Sequence, residues 1–378
     1  MNPSKLVSSL VRAALLAVVT VFLFFPDQLQ VSFEYAYSSM NDNVYVRLAK
    51  AGVLLLWLLE VLRLYYYGVV KNEKAPRWVG NVLTVGMLVA ILGVLLEIAF
   101  MTVAQSHEGN TTLASRIWFE RYWWPVNAEG YRDKAHVPGR KNVLLLGDSF
   151  AAGHGLKRVE ERFGDILAAR LGADYAVHNL GVSGSDTRDE YRRLEKCTIK
   201  PDILILEYFP NDIEKAAAER GVVPQGFRPF SDVPGPLRTL FARSYFLNFV
   251  YFQFPHGDFT PYQAYARRVY TDTTIMNIHL RDLKRVVDYS RRHNARMYVV
   301  LFPFSHNFEL TKSYTRPVEA FFRAHQVPVL RVSDHIGDIA PKDRIVGKND
   351  AHASAAVNQR VGEALYGLVA GEPQLAQE

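Results

Sequence analysis

From Asn142 onward the sequence alternates short apolar runs with longer amphipathic stretches. That rhythm limits the fold more than any other feature. The apolar runs cover residues 142–146, 175–179, 203–208, 296–302 and 327–332. Helical patterns occupy residues 159–171, 186–196, 274–293 and 316–325, and a last helix is expected over 353–369. In the 274–293 stretch, Ile278, Leu283, Val286, Val287 and Tyr289 form one apolar face among charged residues, as an amphipathic helix requires. Such alternation predicts a parallel sheet with helices on both faces. The first run ends at Gly147 and presents Asp148 and Ser149, so Ser149 falls at the carboxyl edge of the sheet. Open α/β sheets place their ligands at that edge.

The first hundred residues read differently. Residues 6–25, 51–70 and 78–104 are apolar runs, each long enough to cross roughly 30 Å of hydrocarbon. The first is expected to be an uncleaved anchor, because no small-x-small cleavage pattern follows it. Tyr65, Tyr66, Tyr67 and Trp78 suit an interfacial belt. The turn over residues 71–77 is basic, whereas the 27–43 loop carries Asp27, Glu34 and Asp42 and no Lys or Arg. The positive-inside rule then puts everything after Ala104 on the far side of the membrane. In a bacterium this is a multi-pass inner-membrane protein with its soluble domain in the periplasm. Glu60, Arg63 and Glu97 lie inside the runs. Glu60 and Arg63, three apart on one helix face, either pair with each other or form a polar seam between spans or toward a membrane partner.

The expected domains are a membrane region over 1–104, an aromatic-rich connector over 105–140, and an α/β domain over 141–378 with an insertion at about 214–273. The connector holds Trp118, Phe119, Tyr122, Trp123 and Trp124, expected either on the membrane surface or beneath the soluble domain. The insertion is rich in Pro and aromatics and lacks a clean period. It is expected to be a substrate-shaping cap, a membrane-facing surface or a structural elaboration. The net charge of +6 is mild and its basic residues are scattered, which gives no sign of a nucleic-acid partner. The lone cysteine, Cys197, excludes an intramolecular disulfide and a cysteine-based metal site.

Three further segments fall where strands end. They are the Gly-rich turn from Asn179 to Thr187, the Asn211-Asp212 pair after the third strand, and Asn349-Asp350-Ala351-His352 before the last helix. This set suits acyl transfer through a serine. The Ser149 hydroxyl needs a base, for which His352 is the candidate. A carboxylate orients the imidazole and favours its charged form. The Ser149 amide, the Gly184 amide and the Asn211 side-chain amide are candidate oxyanion donors. His154 is a rival base by proximity, read instead as a turn residue. His178 reads as a satisfied core histidine, and Asp148 as a cap or a brace of the loop.

Gly147-Asp148-Ser149-Phe150, then Gly184, Asn211-Asp212 and His352, in this order, resemble the SGNH (GDSL-type) hydrolase superfamily. Residues 126–133, with Asn127, Gly130, Tyr131 and Arg132, also resemble a lead-in seen in some members. The resemblance implies a flavodoxin-like three-layer α/β/α sandwich with a mostly parallel five-stranded sheet. It also implies ester hydrolysis or acyl transfer with no cofactor and no metal. Two positions depart from the pattern. Phe209 stands where many members have Gly, and the usual Asp-x-x-His spacing is replaced by Asp350-x-His352, which leaves Asp350 or Asn349 to orient the base. The expected substrate is an O-acyl ester, O-acetyl above all, on an envelope or secreted polysaccharide. Ala151, Ala152 and Gly153 beside the serine suit a small acyl group. The alternatives are a lipid esterase, or a non-catalytic component of a membrane export complex.

Overall fold

The computed structural model describes residues 3–25, 44–68, 77–224, 228–254, 260–305 and 308–371. These fall into two compact units. The first comprises the described parts of Met1–Ala104, Thr112–Ile117 and Phe230–Phe254, and the second comprises Gln105–Thr111, Trp118–Pro229 and Pro255–Glu378.

In the first unit, helices α1 (Pro3–Phe24), α2 (Val44–Gly68) and α3 (Arg77–Phe100) meet at Leu16, Leu56 and Met87. Their other faces carry exposed apolar side chains, such as Leu10, Leu54, Leu58, Val85 and Val89. Two stretches, Val7–Phe24 and Gly80–Phe100, are long and apolar enough to cross a membrane. The expectation of three spans therefore rests on two among the described residues. α2 is as long a helix and carries Glu60 and Arg63 within its apolar run. The loop over 27–43 and the basic turn over 71–76, from which orientation was read, lie outside the described residues.

The polar seam lies between helices. Glu60 is 1% exposed and accepts from Arg12 Nε of α1 at 3.1 Å, with Arg63 Nη1 at 3.5 Å. Ser9 accepts from both arginines. A buried carboxylate is tolerated only when paired in this way.

Between α3 and the second unit's strands the chain forms α4 (Leu113–Tyr122), an element the aromatic pattern did not announce. Strand β1 (Lys141–Leu146) leads through the short turn α5 (Ser149–Ala152) into α6 (Phe163–Leu171), β2 (Tyr175–Asn179), α7 (Thr187–Lys196) and β3 (Ile203–Tyr208). The expected insertion contains α8 (Glu214–Ala218), α9 (Gly235–Arg243), α10 (Tyr245–Tyr251) and α11 (Thr260–Thr271). Then come α12 (Thr273–Arg292), β4 (Arg296–Leu301), α13 (Phe308–Ala324), β5 (Val329–Arg331), the hairpin β6 (Ile345–Gly347) and β7 (Asp350–Ala353), and α14 (Ala355–Ala370). α13 begins well before the expected 316, with Pro317 inside it.

The five-stranded sheet runs in the order β2-β1-β3-β4-β5, parallel throughout. Val143 pairs with Val177 on one side and Ile203 on the other. Sheets covered on both faces need strands that are apolar on both faces, and every residue of β3 is buried. One face packs Val143, Leu145 and Ile205 against Phe163 and Leu167 of α6 and Val361 and Leu365 of α14. The other packs Leu144, Leu146 and Leu204 against Leu283 and Val287 of α12 and Phe322 of α13. Each fully buried Leu of this kind contributes ~1.5–3 kcal/mol. The order reverses at β1, so the carboxyl ends of β1 and β3 flank the crevice where this architecture binds ligands.

The middle of the insertion belongs to the first unit. Glu97 of α3 accepts from Tyr245 N at 2.8 Å, Phe246 N and the Ser244 hydroxyl, the last a very short contact. It thereby caps α10, satisfying amide donors that a helix start leaves open. Phe246 and Phe249 pack on Phe100. Phe230, Val233, Tyr251 and Phe252 form a small cluster of their own.

Candidate active site

β1 ends at Gly147, whose φ of 157° and close neighbour Glu207 leave no room for a side chain: a Cβ would lie 2.4 Å from Glu207 Oε2. This turn delivers Ser149 to the edge of the sheet. Asp148 caps the turn, accepting from Phe150 N at 2.8 Å through Oδ1. Its other oxygen accepts from Asn211 Nδ2 at 3.0 Å. Asp148 therefore ties the segment after β1 to the segment after β3.

Ser149 Oγ stands 2.8 Å from His352 Nε2, and His352 Nδ1 stands 2.5 Å from Asp350 Oδ1. Asp350 is 1% exposed, Ser149 and His352 each 8%. The spacing that departs from the family pattern has a simple cause. Asp350 and His352 lie on strand β7, and residues two apart on a strand point to the same face. The carboxylate on Nδ1 is that of Asp350. Asn349 uses its backbone carbonyl to accept from Glu108 N at 2.9 Å.

Burial alone would depress the basicity of His352, but the hydrogen bond and charge of Asp350 outweigh it and raise its pKa above the ordinary 6.5. Burial pushes the Asp350 carboxyl up, while His352 and then His154 and Ser106 pull it lower, and the net shift is downward. A base works only when neutral, so with His352 as the candidate base activity is expected to be lost as pH falls through its pKa. We expect the acid limb of kcat/KM to lie above 6.5, where an unperturbed imidazole would place it. An acid limb below 6.5 in a pH–rate profile would contradict this pairing.

Three candidate oxyanion donors lie in segments that follow β1, β2 and β3. The backbone N–H groups of Ser149 and Gly184 make no hydrogen bonds among the described residues. Gly184 has φ of 75°, a left-handed conformation that favours glycine. Asn211 Nδ2 has one hydrogen engaged by Asp148, which leaves the other to donate. Loss of one such donor costs about 10²–10³ in kcat. That is the fall expected for Asn211→Ala, with KM little changed.

Beneath this turn lies a buried carboxyl group absent from the sequence reading. Glu207 of β3 is wholly buried and accepts from Asp148 N at 3.0 Å. Its pKa is raised well above the usual range by burial and by the charge of Asp148. Glu190 and Asp212 are likewise pushed up by burial and their mutual charges. Burial and these charges favour the protonated form of each, and Glu207 braces the turn before Ser149 through the Asp148 amide.

The lead-in motif also finds its place. Arg132 is 2% exposed and donates to the carbonyls of Gly153, Leu156 and Tyr122 at 2.5, 2.7 and 2.8 Å. Asp133 accepts from Asn179 N at 2.7 Å and from Arg162. The Arg-Asp pair thus locks the loop after Ser149 to the end of β2. His178 bonds Asn142 at 3.1 Å. Ala151 and Ala152 are 0% and 1% exposed, packed in the core, so the small acyl pocket inferred from them has no basis there. His154 lies in the turn over 153–155, as expected, and is there buried at 4% with its ring stacked on that of His352.

His154, Asp350 and His352 could each offer a ligand atom within 4.8 Å of the others. The two rings, however, are nearly parallel, 15° apart at 4.3 Å. A shared metal must lie near both ring planes, along in-plane lone pairs. Parallel stacked planes do not meet, so the set does not suit a metal.

Residues 145–360 match the model of the GDSL-like lipase/acylhydrolase family. The chain belongs to that family. It is an SGNH-type serine hydrolase acting on carboxylic esters. Among curated proteins no relative matches. Solved structures similar to this GDSL-family enzyme include one titled TesA, with 16% identity, TM-score 0.38, and coverage of 62% of this chain and 100% of the other. Est24, a carbohydrate acetylesterase from Sinorhizobium meliloti, has 17% identity, TM-score 0.36, and coverage of 61% and 99%. The inhibitor-bound aryl esterase of M. smegmatis has 17% identity, TM-score 0.36, and coverage of 61% and 99%. The family assignment rests on the family match, not on these. In this GDSL hydrolase the Gly-to-Phe departure at Phe209 adds an aromatic ring. Phe209 packs 4.4 Å from Phe150, whose ring lies 5.1 Å from His352.

Proposed function

We propose that this GDSL hydrolase is a membrane-anchored esterase or acyltransferase for O-acetyl esters of an envelope or secreted polysaccharide. The observation that carries the chemistry is the chain from Ser149 Oγ through His352 to Asp350, at 2.8 and 2.5 Å. Ser149 attacks the ester carbonyl, and His352 Nε2 takes its proton. Asp350 holds Nδ1–H and stabilises the imidazolium. The Ser149 and Gly184 amides and the Asn211 side chain receive the oxyanion. His352 then returns the proton to the leaving alcohol. Water, or a sugar hydroxyl in the transfer version, attacks the acyl-serine and regenerates the enzyme.

Two apolar helices of spanning length support the anchor, and the basic turn over 71–77 supports a periplasmic catalytic unit. A short acyl group is supported by the Phe150–Phe209 pair beside His352. The lipid-esterase reading needed free aromatics in the insertion. Phe246, Phe249, Tyr251 and Phe252 are instead engaged with Phe100 and with Phe230.

The test is a nitrophenyl ester series from acetate to palmitate, followed by acetate release from an acetylated polysaccharide, with and without an unacetylated acceptor glycan. We expect kcat/KM to fall by at least tenfold between the acetate and octanoate esters. Each methylene refused is worth ~1–3 kcal/mol at most, so exclusion of several gives a clear step. A preference for octanoate or longer would overturn the acetyl assignment.

A further inference from the structure

We propose that His154 is a positioning residue for His352, holding its ring between Ser149 and Asp350 by stacking on its face. The proposal rests on the assignment of Ser149 and His352 as nucleophile and base. His154 follows Gly153, whose left-handed φ of 72° turns the chain back after the nucleophile helix turn. Its backbone N–H donates to Ser149 O at 2.9 Å, so it is tied to the nucleophile's own segment. The side chain is 4% exposed. Its ring lies 4.3 Å from that of His352 at an interplanar angle of 15°. Nε2 is 3.7 Å from Asp350 Oδ2, the oxygen that His352 does not use.

The far side is walled by aromatics of the connector. Trp118 stacks on His154 at 5.7 Å and 16°, while Phe119 and Trp123 meet it at 5.1 and 6.1 Å. His352 is thereby the inner member of a stack whose outer member, Trp118, is 1% exposed. A ring clamped this way cannot tilt out of the Ser149–Asp350 line. Hydrogen bonds at the two ring nitrogens hold the edge of the ring, and the stack supports its face.

The clamp must be neutral to work, because a second cation would oppose the imidazolium formed on His352. Burial and the neighbouring His352 lower the His154 pKa to about 4, against the pull of Asp350. Other charges facing the pair are Arg132 from the connector, Glu108 from the segment before α4, and Asp148 at the nucleophile turn. A neutral ring face also receives a cation favourably.

The experiment compares His154→Ala, His154→Phe and wild type on nitrophenyl acetate, with Ser149→Ala as the control. Folding is checked by thermal melting, and kcat, KM and the acid limb of kcat/KM are measured. Small misplacement of a reacting group costs up to about 10² in rate. His154→Ala is expected to lose roughly ten- to a hundredfold in kcat with KM within about twofold. Its acid limb moves to higher pH, because water entering the vacated space relieves the burial that holds the His352 pKa down. His154→Phe keeps a stacked ring and is expected to restore kcat and the acid limb toward wild type. A folded His154→Ala with wild-type kcat and acid limb would overturn the proposal. So would a His154→Phe as impaired as His154→Ala, which would assign the effect to the imidazole nitrogens. Esterase activity surviving in Ser149→Ala would instead overturn the nucleophile assignment on which the proposal rests.

Discussion

Ser149→Ala is expected to abolish labelling by a fluorophosphonate probe and to lower kcat by about 10⁴–10⁶-fold. The same loss is expected for His352→Ala, and the double variant should be no worse than either single one, because the two side chains act as one unit. The physical reason is the proton. A serine hydroxyl is a weak nucleophile until a base within hydrogen-bond reach accepts its hydrogen, and His352 Nε2 is at 2.8 Å from Oγ. Binding should survive, since neither substitution removes the oxyanion donors, so KM stays close to wild type. The measurement uses the detergent-solubilised full chain. Labelling that persists in Ser149→Ala, or a double variant much worse than the singles, would rule out the pair.

Asp350→Asn comes second, with an expected fall of about 10⁴ in kcat. An asparagine amide at Oδ1 can donate to His352 Nδ1. That favours the tautomer with its hydrogen on Nε2, which cannot accept from Ser149. The imidazolium also loses its charge partner. Asn349→Ala should leave kcat within a few-fold, because the carboxylate on His352 Nδ1 is that of Asp350. If instead Asn349→Ala were crippled and Asp350→Asn spared, the orienting role would pass to Asn349.

These expectations also mark where the sequence was readable. Ser149, Gly184, Asn211 and His352 stood out as candidates because each lies in a segment that follows an apolar run, and a parallel sheet gathers such ends along one edge. The Asp350-x-His352 spacing looked irregular only while the segment was taken as a turn. On strand β7 it is the spacing that puts both side chains on one face. His154 and Glu207 were not legible in the same way. A histidine after a glycine and a glutamate inside a strand acquire their roles from partners far along the chain, at His352 and at Asp148. Strand periodicity carries no signal for such pairings. The lead-in Arg132 was noticed as a pattern, but its task of gathering four carbonyls became visible only with the loop folded around it. The insertion was read as a cap, a membrane-facing surface or a structural elaboration, and its residues 230–254 group with the N-terminal helices. Glu97, which fixes them there, is itself a charge inside an apolar run, and its acceptor role depends on a helix start 148 residues away.

That capping glutamate bears on how the protein is handled in the laboratory. A fragment begun at residue 105, the obvious route to a detergent-free enzyme, would strip the acceptor from Ser244, Tyr245 and Phe246 and the ring of Phe100 from Phe246 and Phe249. The first unit is discontinuous along the chain: part of it is encoded more than a hundred residues downstream of the last apolar helix. Trimming the gene from its 5′ end alone would leave a greasy, half-capped remnant in the middle of the product, and aggregation of that fragment would say nothing about the fitness of the hydrolase fold itself.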